Sequence, residues 1–348
     1  MDSQRQRSNT APYSRAMYAL VAKTAPGDES LWLPLTYHLL DTAAVMDYLL
    51  ENWLPEHSCE SLGLEQEDFR RLAFAAALLH DTGKTTKLFQ CNITAQRPEL
   101  RERLRDFGLE DGNFLTLKNL PHAAAGAELL RHEGFNESLA AVVGAHHGKP
   151  ETGYGGEEYY FSESNPLSFG WLSRGGRATG WGAVQNEIIR WALSQDGMET
   201  PENLPECSMA AQMLLTALVI MADWIASNTA YFPLISTEEL PHGQSELNGE
   251  FLSLEEGAVE LAQEEAESDT LTVHSFFRGR KTRLLANLVV GTVDQLLMAA
   301  LKRKHVMLRH LGLTGKVVII DECHAYDAYM NTYLDSAERL DTAGSGRY

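Results

Sequence analysis

Apolar residues recur at helical spacing through most of the first 230 positions of this chain. Residues 36–53 carry His38, Asp41, Val45 and Leu49 along one line, and Pro55 closes the segment. Residues 65–80 predict a second helix ending at His80. His122 opens a third, running to about residue 132. Asn136 is placed to cap a fourth, which ends at His146-His147-Gly148. The pattern returns at 184–193 and 208–228. The intervening stretches are less regular. Residues 1–30 are polar with one short helical segment at 13–23, and 91–120 read as a charged surface excursion. Residues 150–182, rich in Gly, Ser, Tyr and Trp, read as a long loop. The first two-thirds is therefore expected to be mainly α, a helical bundle.

Beyond it the pattern changes. Residues 238–269 are acidic, and no Lys or Arg occurs between Arg190 and Arg278, as in a solvated linker. Short apolar runs at 287–291 and 316–321 then alternate with helical segments at 293–303 and 326–340, the signature of an α/β fragment. The expected division is 1–235, a junction at 236–270, and 271–348. A core of that last size is marginal alone.

Composition narrows the function. With 44% apolar and 22% charged residues the chain is an ordinary globular protein, and its formal charge of −19 argues against gripping a polyanion by bulk charge. Nucleic-acid contact would need metal ions or a local basic patch. Cys59, Cys91, Cys207 and Cys323 form no CxxC and read as reduced thiols. No secretory leader is visible. The longest apolar run, 209–222, contains Gln212 and meets Asp223, short of the roughly 20 residues that cross a bilayer. A cytoplasmic protein with no membrane partner is expected.

The chemistry lies in His38, His80-Asp81, His122, His146-His147 and Asp223, each within or at the end of a predicted helix. Helical bundles direct such side chains into one interior site, and imidazole with carboxylate suits Mn, Fe, Co, Ni or Zn. Adjacent residues on a helix diverge by about 100°. His146 and His147 therefore suit two metals, or one metal and a substrate phosphate, better than a single ion. Taken singly, a His38 or His122 is more often a helix cap or core histidine than a ligand, Asp223 reads also as a cap and Lys84 as a surface lysine.

In order, these residues follow the H…HD…H…HH…D pattern and resemble the HD phosphohydrolase superfamily. More narrowly, three stretches resemble the HD nuclease domain of the CRISPR-associated type I helicase-nuclease. They are Leu79-His80-Asp81-Thr82-Gly83-Lys84, Gly144-Ala145-His146-His147-Gly148 and Ala222-Asp223-Trp224-Ile225-Ala226-Ser227-Asn228. The resemblance covers about residues 15–235. It implies a metal-dependent nuclease cutting single-stranded DNA, with the RNA-guided surveillance complex as a partner. It implies His80, Asp81, His122, His146, His147 and Asp223 as ligands, with His38 matching the first histidine. Asp81 would bridge two ions (Mn, Ni, Co, Fe or Mg), and Lys84 would contact the scissile phosphate.

The apolar run Val317-Val318-Ile319-Ile320 leads into Asp321-Glu322-Cys323-His324, which suits a carboxylate pair near nucleotide phosphates. This stretch and Val290-Gly291-Thr292-Val293-Asp294-Gln295 resemble the first RecA-like lobe of the same family. The departure is the phosphate loop. G-x-x-x-x-G-K-[ST] occurs nowhere in the chain, since Leu78 precedes Gly83-Lys84-Thr85 and Arg280 precedes Lys281-Thr282. The chain thus reads as an internally deleted, C-terminally truncated member without ATP-driven motion, leaving Asp321 and Glu322 vestigial. Arg278, Arg280, Lys281, Trp171 and Arg174 are candidate DNA contacts, with solvated or packed surface as their alternative. Two other readings stand beside the nuclease: an HD phosphohydrolase of small nucleotides, and a non-catalytic protein binding the family's partners.

Overall fold

The computed structural model describes residues 13–55, 58, 62–109, 120–148, 169–171, 179–198, 200–238, 282–286, 289, 296, 298–300 and 304–319. Its centre is α9, Met209–Ala226, which packs against four other helices: α2 (Leu35–Asn52), α3 (Gln66–Leu79), α7 (Glu137–Ala145) and α10 (Val306–Leu313). Eleven residues of α9, Ala211 and Leu214 to Ala222 among them, are buried. It is the one described helix long and apolar enough to cross a membrane, and it lies within the protein core, which accounts for that apolarity. Ser208 caps it by accepting from the Ala211 N–H, as Asn136 caps α7 through the Leu139 N–H.

The first region is a helical bundle, and the chain as a whole is mainly α. α6 (His122–His132) pairs with α7, while α8 (Gly180–Gln195) covers α3 and the turn after it. Two expectations need correction. Residues 13–23 hold only a short helix, α1 (Arg15–Tyr18), followed by strand β1 (Val21–Thr24). β1 pairs antiparallel with β2 (Leu31–Pro34), and β2 pairs with β3 (Ile235–Ser236). This small sheet closes across more than 200 residues of sequence, so no local pattern announces it. The stretch 91–120 is, over its described residues up to 109, likewise more ordered than a surface excursion. α4 (Lys87–Ile93) and α5 (Pro98–Asp106) bury Cys91, Leu100 and Leu104.

After the acidic stretch, whose residues from 239 on lie outside those described, the chain returns to the same core. Met307, Leu308 and Leu311 of α10 join Leu285 in the main apolar cluster. Lys316 donates to the carbonyls of Leu284 and Ala286, at 2.6 and 2.5 Å. The strand expected at 316–321 is not formed over its described part, 316–319. Val317 and Ile319 are about 90% exposed there, and none of the described strands pairs with them.

Candidate metal centre

The ends of five helices meet at one place. His38 stands in the first turn of α2 and His122 is the first residue of α6. His80 and His146 cap the C-terminal ends of α3 and α7, and Asp223 lies in the last turn of α9. A carboxylate near a helix C-terminus is disfavoured by the helix dipole, so Asp223 needs cationic company.

Asp81 is the hub. It follows α3 with φ −105° and ψ 15°, the bridge region where many active-site residues sit. Its Oδ2 lies 3.0 Å from His38 Nε2, 3.3 Å from His80 Nε2 and 2.6 Å from Lys84 Nζ. Its Oδ1 lies 3.4 Å from His122 Nε2 and 3.5 Å from His146 Nε2. Asp223 Oδ1 completes the first side, 3.2 Å from His38 Nε2 and 3.8 Å from His80 Nε2. Two ligand groups result: His38, His80, Asp81 and Asp223, largely buried, and His122, His146 and His147, of which His147 is exposed.

The turn that carries Asp81 and Lys84 is tightly tied. The hydroxyls of Thr82, Thr85 and Thr86 donate to the carbonyls of Leu79, Thr82 and Gly83. A Cβ on Gly83 would fall 1.8 Å from the His122 carbonyl oxygen, so only glycine lets this turn press against the start of α6. Buried Gln90 donates to the carbonyls of Lys84 and Val21, joining the turn to β1.

These residues fit a metal. His80 and His146 donate from Nδ1 to the carbonyls of Ala77 (2.7 Å) and Val143 (2.6 Å), which points each Nε2 inward. The inward atoms His38 Nε2, His80 Nε2, His146 Nε2 and Asp81 Oδ1 are buried without a hydrogen bond of good geometry, despite their short separations. Atoms so arranged surround a point rather than bond to one another, and buried polar atoms in that state call for a partner. His122 Nε2 and His147 Nε2 are 2.7 Å apart. Two imidazoles about 2.0–2.1 Å from one ion come nearly that close.

Electrostatics separates the groups. Burial works against charge on His80, but Asp81 and Asp223 outweigh it and raise its pKa to about 10. Burial would also raise both carboxylates. Lys84 and His80 instead hold Asp81 well below the usual range, and the neighbouring His38 and His80 do the same for Asp223. On the open side, burial drives His122 down to about 3, and burial followed by His146 lowers His147. Without metal, a proton on His80 thus holds the position that a cation would take.

All seven proposed ligands and Lys84 come together here. Trp171 is engaged elsewhere, stacked on Phe169 with centroids 4.7 Å apart and donating 2.7 Å to Gln185. Arg174, Arg278, Arg280, Lys281, Asp321 and Glu322 lie outside the described residues. Sequence reading missed three participants. Ser227 donates to Asp223 Oδ1 at 3.2 Å, and Lys23 donates to the Ser227 carbonyl at 2.6 Å. Phe89 packs its ring 5.4 Å from His122 and 5.8 Å from Lys84 Nζ. The i,i+4 spacing of Asp223 and Ser227 was a usable signal, whereas nothing local marked Lys23 or Phe89.

Comparisons with known proteins agree in direction. Residues 22–232 match the family model described as Cas3, HD domain. The CRISPR-associated nuclease/helicase Cas3 of Streptococcus thermophilus is 27% identical over 474 aligned positions, covering 92% of this chain and 50% of that protein. The CRISPR-associated endonuclease/helicase Cas3 of Thermus thermophilus is 38% identical over 455 positions, covering 88% and 46%. The chain thus spans about half the length of these relatives. Both alignments are longer than its 348 residues, so the relatives carry sequence within the matched span that this chain lacks. Among solved structures, T. fusca Cas3 shares the fold with a TM-score of 0.66 at 22% identity, covering 96% of this chain and 49% of that one. A chain of a CRISPR RNA-guided surveillance complex, pre-nicking, does so with 0.64 at 23%, covering 93% and 45%. With the HD-family model matched over most of the bundle that builds this centre, the chain belongs to the Cas3 HD-domain family.

Proposed function

We propose that this chain is a metal-dependent nuclease that cuts single-stranded DNA in CRISPR defence, with no ATP-driven unwinding of its own. The observation that carries this reading is the division of Asp81, one oxygen toward each ligand group. His38, His80, Asp81 and Asp223 would hold one ion, and His122, His146 and His147, with Asp81 between the groups, a second. Bound divalent ions of the Mn, Ni, Co, Fe or Mg type lower the pKa of water and offset charge at phosphorus. Lys84 adds a fixed positive charge beside Asp81, placed to meet a phosphate oxygen as charge develops on it. Neutral His122 and His147 leave the open side free of competing protons near neutral pH.

DNA as substrate and an RNA-guided surveillance complex as partner rest on the family and on the setting in which its fold has been solved. Loss of the motor rests on the missing phosphate loop, without which Asp321 and Glu322 have no organised triphosphate to act on. Its DNA would then have to arrive already single-stranded.

The test incubates purified protein with circular single-stranded DNA and Mn²⁺, Ni²⁺ or Mg²⁺, beside Asp81→Ala. Wild type should degrade the circle with at least one metal and Asp81→Ala should not, with ATP making no difference. Equal degradation by both proteins rejects the assigned site. Absence of cleavage with every metal favours a binding-only protein, and release of phosphate from mononucleotides favours a small-nucleotide phosphohydrolase. DNA-stimulated ATP hydrolysis abolished by Glu322→Gln would overturn the loss of the motor.

A further inference from the structure

His305, far beyond the residues matched to the HD family, reaches the metal centre. It precedes α10 with φ 61° and ψ 26°, and among the described residues no other non-glycine has a positive φ. That conformation is uncommon for a residue with a side chain and persists where its surroundings over-determine it. Its N–H donates 2.9 Å to the carbonyl of Gly148, the residue that follows His146-His147. Its ring abuts the same glycine, and a Cβ at Gly148 would fall 2.1 Å from His305 Nδ1. The same ring meets Trp224, centroids 5.5 Å apart at 64°, and Trp224 adjoins Asp223. One imidazole therefore touches both the turn that presents the open ligand group and the helix end that presents Asp223.

The imidazole is anchored. α10 packs on α9, Met307, Leu308 and Leu311 are buried in the main core, and Gly312 lies where a Cβ would come 2.7 Å from the Leu284 carbonyl. A segment merely left over from a lost motor has no need to hold a left-handed residue against a glycine at the metal turn.

We propose that His305 is a positioning residue of the metal centre, clamping the His146-His147-Gly148 turn against Trp224, so that the segment after the acidic stretch serves the nuclease site. The inference rests on the metal-centre reading above. It acts through Gly148 rather than by ligation, as outer-shell partners do when they orient a metal ligand.

His305→Gly separates ring from backbone, because glycine adopts φ 61° freely while removing the ring. Mn²⁺ or Ni²⁺ titrated into the full chain by calorimetry should show the affinity at one of two sites reduced about 10–100-fold, the range for lost outer-shell partners. The other site and the metal-free melting temperature should hold. In the metal-free chain, the amides of 146–148 should exchange with solvent faster in His305→Gly than in wild type. Gly148→Ala, harmful beside His305, should cost less affinity in the His305→Gly background.

Unchanged exchange at 146–148 would overturn the proposal. So would equal weakening of both sites with a lower melting temperature, which marks a merely structural residue. If wild type binds no metal, the function proposed above fails, and the exchange measurement still decides the clamp.

Discussion

The two ligand groups around Asp81 are built on opposite principles. His38, His80, Asp81 and Asp223 are held by α2, α3 and α9, whose other faces form the core, and His80 is fully buried. In the other group His146 is buried, but His122 is half-buried and His147 exposed, with Phe89 on one flank. The buried group collects negative charge and keeps a proton on His80, while His122 and His147 shed theirs. Burial alone lowers the pKa of an imidazole. What reverses it at His80 is two carboxylates at 3.3 and 3.8 Å, whereas His122 meets one carboxylate and the repelling Lys84. Identical side chains thus acquire unlike affinities for protons from their neighbours.

Asp81→Ala erases the distinction by removing the shared oxygen pair. Metal affinity should fall at both sites by more than about 100-fold, beyond the range for outer-shell partners, with nuclease activity at background. Calorimetric titration beside the DNA assay checks this. A loss confined to one site would show that Asp81 does not bridge the groups.

Gly83→Ala should pull the groups apart without touching a ligand. The methyl would overlap the His122 carbonyl, so the Asp81 turn and α6 must separate. Overpacking of this kind costs about 1–3 kcal/mol, read as a lowered melting temperature, and activity should fall with it. Retention of both would mean that the turn and α6 need not touch.

Acidity sharpens the contrast further. Metal at the buried group must displace the His80 proton, so affinity there should rise about tenfold per pH unit below about 10, while His122 and His147 have no proton to displace between pH 7 and 8. Titrations at pH 7 and 8 test this. Stability of the metal-free chain follows the same groups. The raised pKa of His80 gives stability fully present below 6.5 and lost as pH rises toward about 10. The depressed pKa of His122 costs stability as pH falls from 6.5 toward about 3, and Asp81 and Asp223 contribute stability lost below 3.8. Melting temperature should therefore peak near pH 6.5 without metal. A maximum above pH 9 would contradict the charge assigned to His80.

Ser227→Ala is the mildest probe. It removes one hydroxyl from Asp223 and should weaken the buried site about 10-fold or less, leaving the other site alone.

Much of this was legible in residue order. The helices carrying His38, His80, His122, His146 and Asp223 follow from apolar spacing, and Asn136 and Ser208 show where two of them begin. The seven proposed ligands were nameable because their order along the chain, within or at the end of predicted helices, resembles a known family's pattern. The sheet was not, since Val21–Thr24 and Leu31–Pro34 become strands only by pairing with each other and with Ile235–Ser236. Nor was the fate of the C-terminal segment. The apolar run at 317–319 suggests a strand, yet those residues are exposed while α10 carries the packing.

The bundle helices that carry the candidate ligands and the missing phosphate loop are properties of local spacing, and the candidate ligands are nameable from their order along the chain, so the sequence by itself reached these. Tertiary structure decided which imidazole faces which oxygen of Asp81, why His80 holds a proton that His122 releases, and that His305 sits on Gly148. Those outcomes depend on distances of 3 to 4 Å between residues up to about 200 positions apart, and only the packed helices set such distances.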